Sequence, residues 1–106
     1  MRKTLITLSS LLLAASCGSL AHAEGDAEAG AKLTARCMGC HGKTGHSTSR
    51  MYPSLAGQDA EYLVDAMKAY RDGGRTGRRA NIMVPFVRNL SDQDIADIAA
   101  FYSQQE

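Results

Sequence analysis

Three side chains that bind metals or react as nucleophiles stand together in the segment Cys37-Met38-Gly39-Cys40-His41. The spacing C-x-x-C-H is the pattern by which c-type haem is attached to protein. In that chemistry two thiols, about one helical turn apart, add across the two vinyl groups of haem, and the adjacent imidazole becomes an axial ligand of the iron. The segment therefore predicts one covalent haem c, with Cys37 and Cys40 as thioethers and His41 as the proximal iron ligand.

Two other interpretations of the cysteine pair are open. A thioredoxin-like redox pair needs strands around it, and no strand pattern appears in the sequence. A zinc site needs four ligands in a tetrahedron, which Cys37, Cys40, His41 and His46 would have to supply. A histidine directly after a cysteine fits such a site poorly, and no second C-x-x-C is present. Haem attachment is therefore favoured, and His46 is assigned no role.

The elements that position this motif are predicted to be helices. Asp26 is a suitable N-cap for a helix that runs to about Met38, rich in alanine and free of proline. A second helix is predicted over residues 59–72, where apolar residues recur at helical spacing before two glycines. A third begins at Ser91, with Asp94 three positions on as a near capping box. The three helices indicate an all-α fold.

Two long loops join the predicted helices. Residues 39–57 are rich in Gly, Ser and Thr and keep no regular period, which predicts a loop. Residues 75–89 form a basic, Gly- and Pro-containing segment around the apolar run from Ile82 to Phe86, and we expect an ordered loop there as well. Loops of this length in a small domain normally serve a function or wrap a ligand.

The N-terminus has the order of a secretory signal: basic Arg2 and Lys3, a Leu-rich stretch, then Ala21-His22-Ala23. We expect cleavage after Ala23, which divides the chain into a signal peptide at residues 1–23 and a mature domain at residues 24–106. An uncleaved anchor is the alternative, although the apolar stretch is interrupted by serines and is short for a membrane span of about 20 residues. A lipidated Cys17 is a further alternative.

The expected mature domain is small and nearly neutral. It holds ten Lys and Arg against eleven Asp and Glu, a balance that gives no indication of nucleic-acid binding. A chain of this length builds only a marginal core from its own side chains, so a cofactor that adds buried surface is expected. Cys17 leaves with the signal peptide, so Cys37 and Cys40 remain. In an oxidising compartment this pair must be either bonded or modified.

Beyond the cysteine motif, the chain resembles the small bacterial class I cytochromes c over residues 25–105. The resemblance rests on the order of several motifs: Gly25-Asp26 with Gly30, Cys37 to Gly42, Pro53 to Gln58 with Tyr62-Leu63, Met83-x-Pro85, and Leu90-Ser91-Asp92 before a final aromatic helix. It implies the class I cytochrome c fold, with helices and long loops wrapped around one haem. It also implies a crossing of the terminal helices at Gly30 and Phe101.

The resemblance further implies the iron ligands and their support. Met83 corresponds to the distal ligand, a neutral thioether that favours ferrous iron and raises the reduction potential. Pro53 corresponds to the proline whose carbonyl accepts the second ring N–H of the proximal histidine. The residues alone leave other methionines open: Met51 lies within reach in the first long loop, whereas Met38 lies inside the attachment motif and Met67 on the apolar stripe of the second helix.

The arginines around the expected ligand segment have three possible contacts. They could contact haem propionates, an acidic partner or only water. The four residues are Arg75, Arg78, Arg79 and Arg88.

With both axial positions filled, the expected function is that of a periplasmic carrier of single electrons, and not of an enzyme. Its partners would be redox proteins, donor and acceptor, that meet it briefly at the haem edge. The alternative is a haem subunit of an oxidoreductase, such as the cytochrome subunit of a flavocytochrome c sulfide dehydrogenase, bound permanently to a flavoprotein. A gas-binding haem protein would require that Met83 not bind.

Overall fold

The computed structural model describes residues 25–106, and in this range the chain folds into five helices with no strand. The helices are α1 (Ala27–Leu33), α2 (Ala35–His41), α3 (Ala60–Asp72), α4 (Ala80–Val87) and α5 (Asp92–Ser103). The all-α fold class is thereby confirmed. The predicted signal peptide at residues 1–23 lies outside the described residues. No helix between residues 25 and 106 is both long enough and apolar enough to cross a membrane.

The N-terminal helix is divided in two, where a single helix ending near Met38 was expected. Asp26 caps α1 as predicted, accepting from the backbone N–H groups of Glu28 and Ala29. The division falls at Thr34, whose hydroxyl donates to the carbonyl of Ala31 at 2.9 Å and whose backbone is helical in φ but has ψ near zero. Side-chain bonds of this kind compete with the helical ladder. The second half, α2, then runs through the whole cysteine motif.

The prediction of a loop over residues 75–89 was wrong for Ala80–Val87, which form the helix α4. This helix includes Met83 and Pro85, although proline inside a helix removes one backbone hydrogen bond and normally signals an end. Packing outweighs that signal, since α4 lies against α3 and places Val87 in the core. The helix is only two turns long, and the segment before it, residues 73–79, is irregular as predicted.

The core is built on α5, whose apolar stripe is confirmed. Ile95, Ile98, Ala99 and Tyr102 are buried there, and α1, α3 and α5 pack together around them. The capping box that starts α5 is also confirmed: Ser91 accepts from the Asp94 backbone, and the Asp94 carboxylate accepts from the Ser91 N–H at 3.0 Å.

A guanidinium links the end of α3 to the start of α5. Arg71 contacts Asp72 and Asp92, each at 2.8 Å, and donates to the carbonyl of Leu90. This bonding holds the pKa of Asp72 below its usual value. These contacts connect two helices that pack directly against each other.

The terminal helices touch backbone to backbone at Gly30. A methyl group there would collide with the carbonyl of Asp97 on α5. The Asp97 carboxylate also accepts the N–H of Asp26 at 2.8 Å, which ties the start of α1 to the same turn of α5. Phe101, one turn further along α5, packs edge to face against Tyr102 with ring centres 5.1 Å apart.

We predict that Gly30→Ala lowers the free energy of unfolding by about 1–3 kcal/mol, because the added methyl must push two backbones apart. The loss is expected even though alanine favours a helix more than glycine does. Gly74→Ala is the control, since a methyl there meets only ordinary contacts. Denaturant unfolding of the haem-loaded chain measures both. An unchanged or raised stability of Gly30→Ala would contradict the close helix contact.

Candidate functional site

The cysteine motif lies on the short helix α2 and forms one wall of a cavity. Cys37 and Cys40 are one turn apart on this helix, both half-buried and not joined by a disulfide. His41, the last residue of the helix, is buried with 6% of its surface exposed. The helix ends at Gly42, whose φ of +84° suits glycine and whose N–H bonds to the carbonyl of Met38.

The imidazole of His41 is held by the loop that follows it. Its Nδ1 lies 2.7 Å from the carbonyl oxygen of Pro53, the distance of a strong hydrogen bond. A carbonyl only accepts, so Nδ1 must carry the proton and Nε2 keeps its lone pair. The loop itself is pinned at Gly45, whose carbonyl accepts from the N–H groups of Leu55 and Ala56 at 2.7 and 3.1 Å.

One cavity of about 600 Å³ brings the predicted site residues together. It is enclosed by α2, the loop 42–59, α3, α4 and α5, and its size is that of a cofactor pocket. Its walls include all five residues singled out from the sequence: Cys37, Cys40, His41, Pro53 and Met83.

Three of the candidate methionines reach this cavity, namely Met51, Met67 and Met83, whereas Met38 does not line it. Met83 is half-buried on α4 and packs against the core. Met67 packs against the core from α3, and Met51 is largely exposed in the first loop. Burial therefore separates Met51 from the other two, while the choice between Met67 and Met83 depends on their positions along the chain.

The lining has the chemistry of a haem pocket. Most of the wall is apolar, as a flat macrocycle requires, with Leu63, Val87 and Ile98 at its depth. Thiol, imidazole and thioether donors face the same space, which is a soft set suited to haem iron. Arginines that also line the cavity suit the haem carboxylates. The residues present thus fit a haem with two attachment points.

The two rival interpretations of the motif find no support in the geometry. Within residues 25–106 no three side chains of His, Cys, Asp or Glu come close enough to hold a metal ion, so the four suggested zinc ligands do not converge. The imidazole of His46 instead lies 3.0 Å from the hydroxyl of Thr44 on the exposed loop. The same range has no strands to support a thioredoxin-like pair.

Tyr102 is a cavity residue that sequence reasoning assigned only to the core stripe of α5. Its ring is 1% exposed, and its hydroxyl is the one buried side-chain polar atom in the described range without a hydrogen-bond partner. Burial raises the pKa of this phenol well above its usual value, and the nearby Cys37 adds to the effect. Burial likewise raises the pKa of the Cys37 thiol. The place of Tyr102 on the apolar stripe of α5 predicted a buried side chain, but nothing in the sequence indicated that it faces the cavity.

Tyr70 and Arg75 form a second feature that the sequence did not reveal. The guanidinium lies 5.0 Å from the ring centre and donates to the phenol oxygen at 2.9 Å, which holds it at the edge of the cavity. Arg75 follows the turn after α3, and only folding brings it back over the last turn of that helix.

The comparison with known families decides the identity of the fold. The family model for cytochrome c matches residues 27–105, nearly the whole described range. The chain belongs to the cytochrome c family. Its cofactor is covalently bound haem c with iron, and its function is electron transfer.

Individual cytochromes are similar over different shares of their length. The chain is 52% identical over 82 residues to cytochrome c-554(548) of Halomonas halodenitrificans, covering 77% of this chain and 99% of that protein. It is 46% identical over 99 residues to cytochrome c4 of Pseudomonas aeruginosa, covering 93% of this chain and 48% of that protein. The crystal structure of reduced recombinant cytochrome c4 from Pseudomonas stutzeri superimposes with a TM-score of 0.70 at 40% identity, covering 77% of this chain and 46% of that one.

The cytochrome thus spans nearly all of one relative and about half the length of the cytochromes c4 it matches. All three are named as cytochromes and none as an enzyme. The structural likeness to a cytochrome c4 supports the class I cytochrome c fold that the motif order implied.

We predict that Tyr102→Phe makes the cytochrome less sensitive to alkali. The folded protein keeps the Tyr102 proton at a pH where an unfolded tyrosine, with its pKa of 10.0, loses it, so the free energy of unfolding falls above about pH 10. Phenylalanine removes this contribution, and at neutral pH its effect is expected within about 1 kcal/mol because the hydroxyl has no partner. Denaturant unfolding between about pH 9 and 11 measures the slope. Tyr62→Phe, on an exposed ring, is the control, and equal slopes in the two variants would refute the role of Tyr102.

Proposed function

We propose that the chain is a periplasmic carrier of single electrons whose haem is attached through Cys37 and Cys40 and ligated by His41 and Met83. The observation that supports this proposal is an apolar cavity whose wall includes both the C-x-x-C-H helix and α4. When bound, the haem iron supplies a one-electron couple between its ferric and ferrous states. The proposal assigns the other requirements for transfer to side chains of the protein.

The first requirement is a cofactor that stays in place in both oxidation states. Two thioether bonds from neighbouring turns of α2 would prevent haem from dissociating. The half-buried positions of Cys37 and Cys40 at the cavity wall suit this bonding.

The second requirement is a proximal ligand with a fixed orientation. The 2.7 Å contact to Pro53 leaves Nε2 of His41 as the free donor atom and holds the ring in one orientation. A rigid ligand limits movement when the iron changes charge. Electron transfer is faster when little rearrangement accompanies it. The buried imidazole of His41 would move little between the two oxidation states.

The third requirement is a distal ligand that closes the coordination sphere. Met83 is supported by its place on α4, by its half-buried position against the core and by the motif order Met-x-Pro before the last helix. A neutral thioether favours ferrous iron and raises the potential. With both positions filled by protein, no open site remains for substrate chemistry, which supports a carrier.

Export completes the proposal. Residues 1–23 have the basic, apolar and small-residue order of a cleaved signal, so the mature protein would begin at Glu24 in the periplasm. Thiols that reached an oxidising compartment unmodified would pair with each other, whereas haem attachment uses both.

We predict that Met83→Ala keeps its covalent haem but loses the weak far-red absorption band of Met-ligated ferric haem. Its reduction potential should fall, and carbon monoxide should bind the ferrous form, because the distal position opens. Visible spectra and a redox titration measure these changes.

Met51→Ala and Met67→Ala are the matched controls, since both residues also line the cavity. Both should keep the far-red band. Loss of the band in either control together with its survival in Met83→Ala would show that the ligand is assigned to the wrong methionine.

A further inference from the structure

The hydroxyl group of Tyr102 is a buried donor that has no acceptor within the described part of the chain. The side chain is 1% exposed and lines the haem cavity. No atom of residues 25–106 meets this oxygen at hydrogen-bond geometry, whereas every other buried side-chain polar atom in that range has a partner. A dry, unpaired phenol costs free energy, so an acceptor is expected beside it in the functional molecule.

The ring of Tyr102 is packed tightly enough to hold its hydroxyl inside the protein. The ring lies on the backbone of Gly45, where an added methyl group would be only 2.7 Å from Cδ1. The neighbouring ring of Phe101 packs edge to face against it, and the carbonyl of Tyr102 accepts the N–H of Gly57 at 3.0 Å. These contacts prevent the phenol from turning out to water.

The side chain of Cys37 lies beside this hydroxyl at the cavity wall. Burial raises the pKa of both groups. The phenol opposes the rise at Cys37, whereas the sulfur adds to the rise at Tyr102. Effects of opposite sign are those of a phenol that donates to a sulfur acceptor.

Haem attachment would decide which of the two groups donates. When a thiol adds across a vinyl group, the sulfur bonds to one vinyl carbon and the thiol hydrogen is transferred to the other. The resulting thioether has lone pairs but no hydrogen, so it can only accept. The phenol of Tyr102 is then the donor of the pair.

Thr34 is the competing acceptor. Its side chain is fully buried, and its hydroxyl donates to the carbonyl of Ala31 at 2.9 Å, which leaves lone pairs on the oxygen. Thr34 does not line the cavity, however, and it affects the pKa of Tyr102 less than Cys37 does. The sulfur is therefore the favoured acceptor.

We propose that Tyr102 is a positioning residue of the haem site, whose hydroxyl donates a hydrogen bond to the thioether sulfur of Cys37 and raises the reduction potential. This inference rests on the proposed function, because the sulfur becomes a pure acceptor only when haem is attached. The positive end of the O–H dipole would lie at the haem periphery in a dry core, where it favours the electron-rich ferrous state. Hydrogen bonding around a haem is one means by which a protein sets its potential.

The test compares resonance Raman spectra of the haem-loaded chain in light and heavy water. Equilibration in heavy water replaces the phenol proton by deuterium, so part of the C–S stretching band of the thioethers should shift. Tyr102→Phe should lack that part of the shift and have a lower reduction potential. Tyr62→Phe is the matched control, because it removes the hydroxyl from another ring that lines the cavity. It should keep the isotope shift of the unmodified chain.

A second variant keeps the phenol and changes its strength as a donor. Replacement of Tyr102 by a tyrosine that carries fluorine beside the hydroxyl makes the phenol more acidic and hence a stronger donor. The reduction potential should rise above that of the unmodified chain, opposite to the change in Tyr102→Phe. The fluorinated chain and the isotope shift of the unmodified chain decide the question even where Tyr102→Phe does not fold.

Three results overturn the proposal. They are a C–S band that is the same in light and heavy water, an isotope shift that survives unchanged in Tyr102→Phe, and a potential that does not rise with the fluorinated ring. Thr34→Val removes the competing acceptor and should leave the isotope shift intact. Loss of the shift in Thr34→Val would assign the phenol to Thr34 instead.

Failure of the proposed function gives different results. Haem that acid–acetone extracts from the chain would contradict the thioethers and this inference together, and a missing far-red band would contradict ligation by Met83. An unshifted C–S band in a chain that keeps both its covalent haem and its far-red band contradicts the Tyr102 bond alone.

Discussion

The site depends on the contact between the His41 ring and the carbonyl of Pro53. This hydrogen bond joins the end of α2 to the middle of the loop that follows it. The loop turns back because Gly42 and Gly45, both with φ of +84°, permit a tight path, and because the Gly45 carbonyl accepts two N–H groups beyond Pro53. One side of the cavity is thereby closed without a regular element. The proton that the bond requires on Nδ1 also defines which nitrogen is left to bind a metal.

The remaining walls serve two opposing needs. A haem cavity must be apolar and dry to keep the cofactor bound, yet an electron carrier must leave part of it accessible. The core residues of α5 and Leu63 of α3 meet the first need at the depth of the cavity. The second is assigned to the mouth, where arginines and partly exposed apolar side chains both line the cavity. A small domain that builds its core around a cofactor has a small free energy of unfolding. The close helix contact at Gly30 and the link through Arg71 therefore help to keep the site formed.

Much of this arrangement was predictable from local pattern. The cysteine motif, α3, the capping box and apolar stripe of α5 and the N-cap at Asp26 each follow from residues close together in sequence. The helix α4 did not, because Pro85 and the preceding glycines signal a loop, and only contacts with α3 overrule them. The break at Thr34 was not predicted either, because no sequence pattern indicates that its hydroxyl bonds to the carbonyl of Ala31. Tyr102 and Arg75 line the same cavity only because of the tertiary fold, and no spacing rule predicts that they meet there.

The central claim is that Cys37 and Cys40 hold a haem through bonds to the protein chain. Intact mass spectrometry after acid–acetone extraction of the exported protein tests it directly, because acid releases a haem that is only ligated and leaves a thioether-bound one in place. The account predicts one species, with the mass of the processed chain plus a single haem, and no haem in the organic phase. Recovery of the haem in the solvent, with the polypeptide at its unmodified mass, would contradict it.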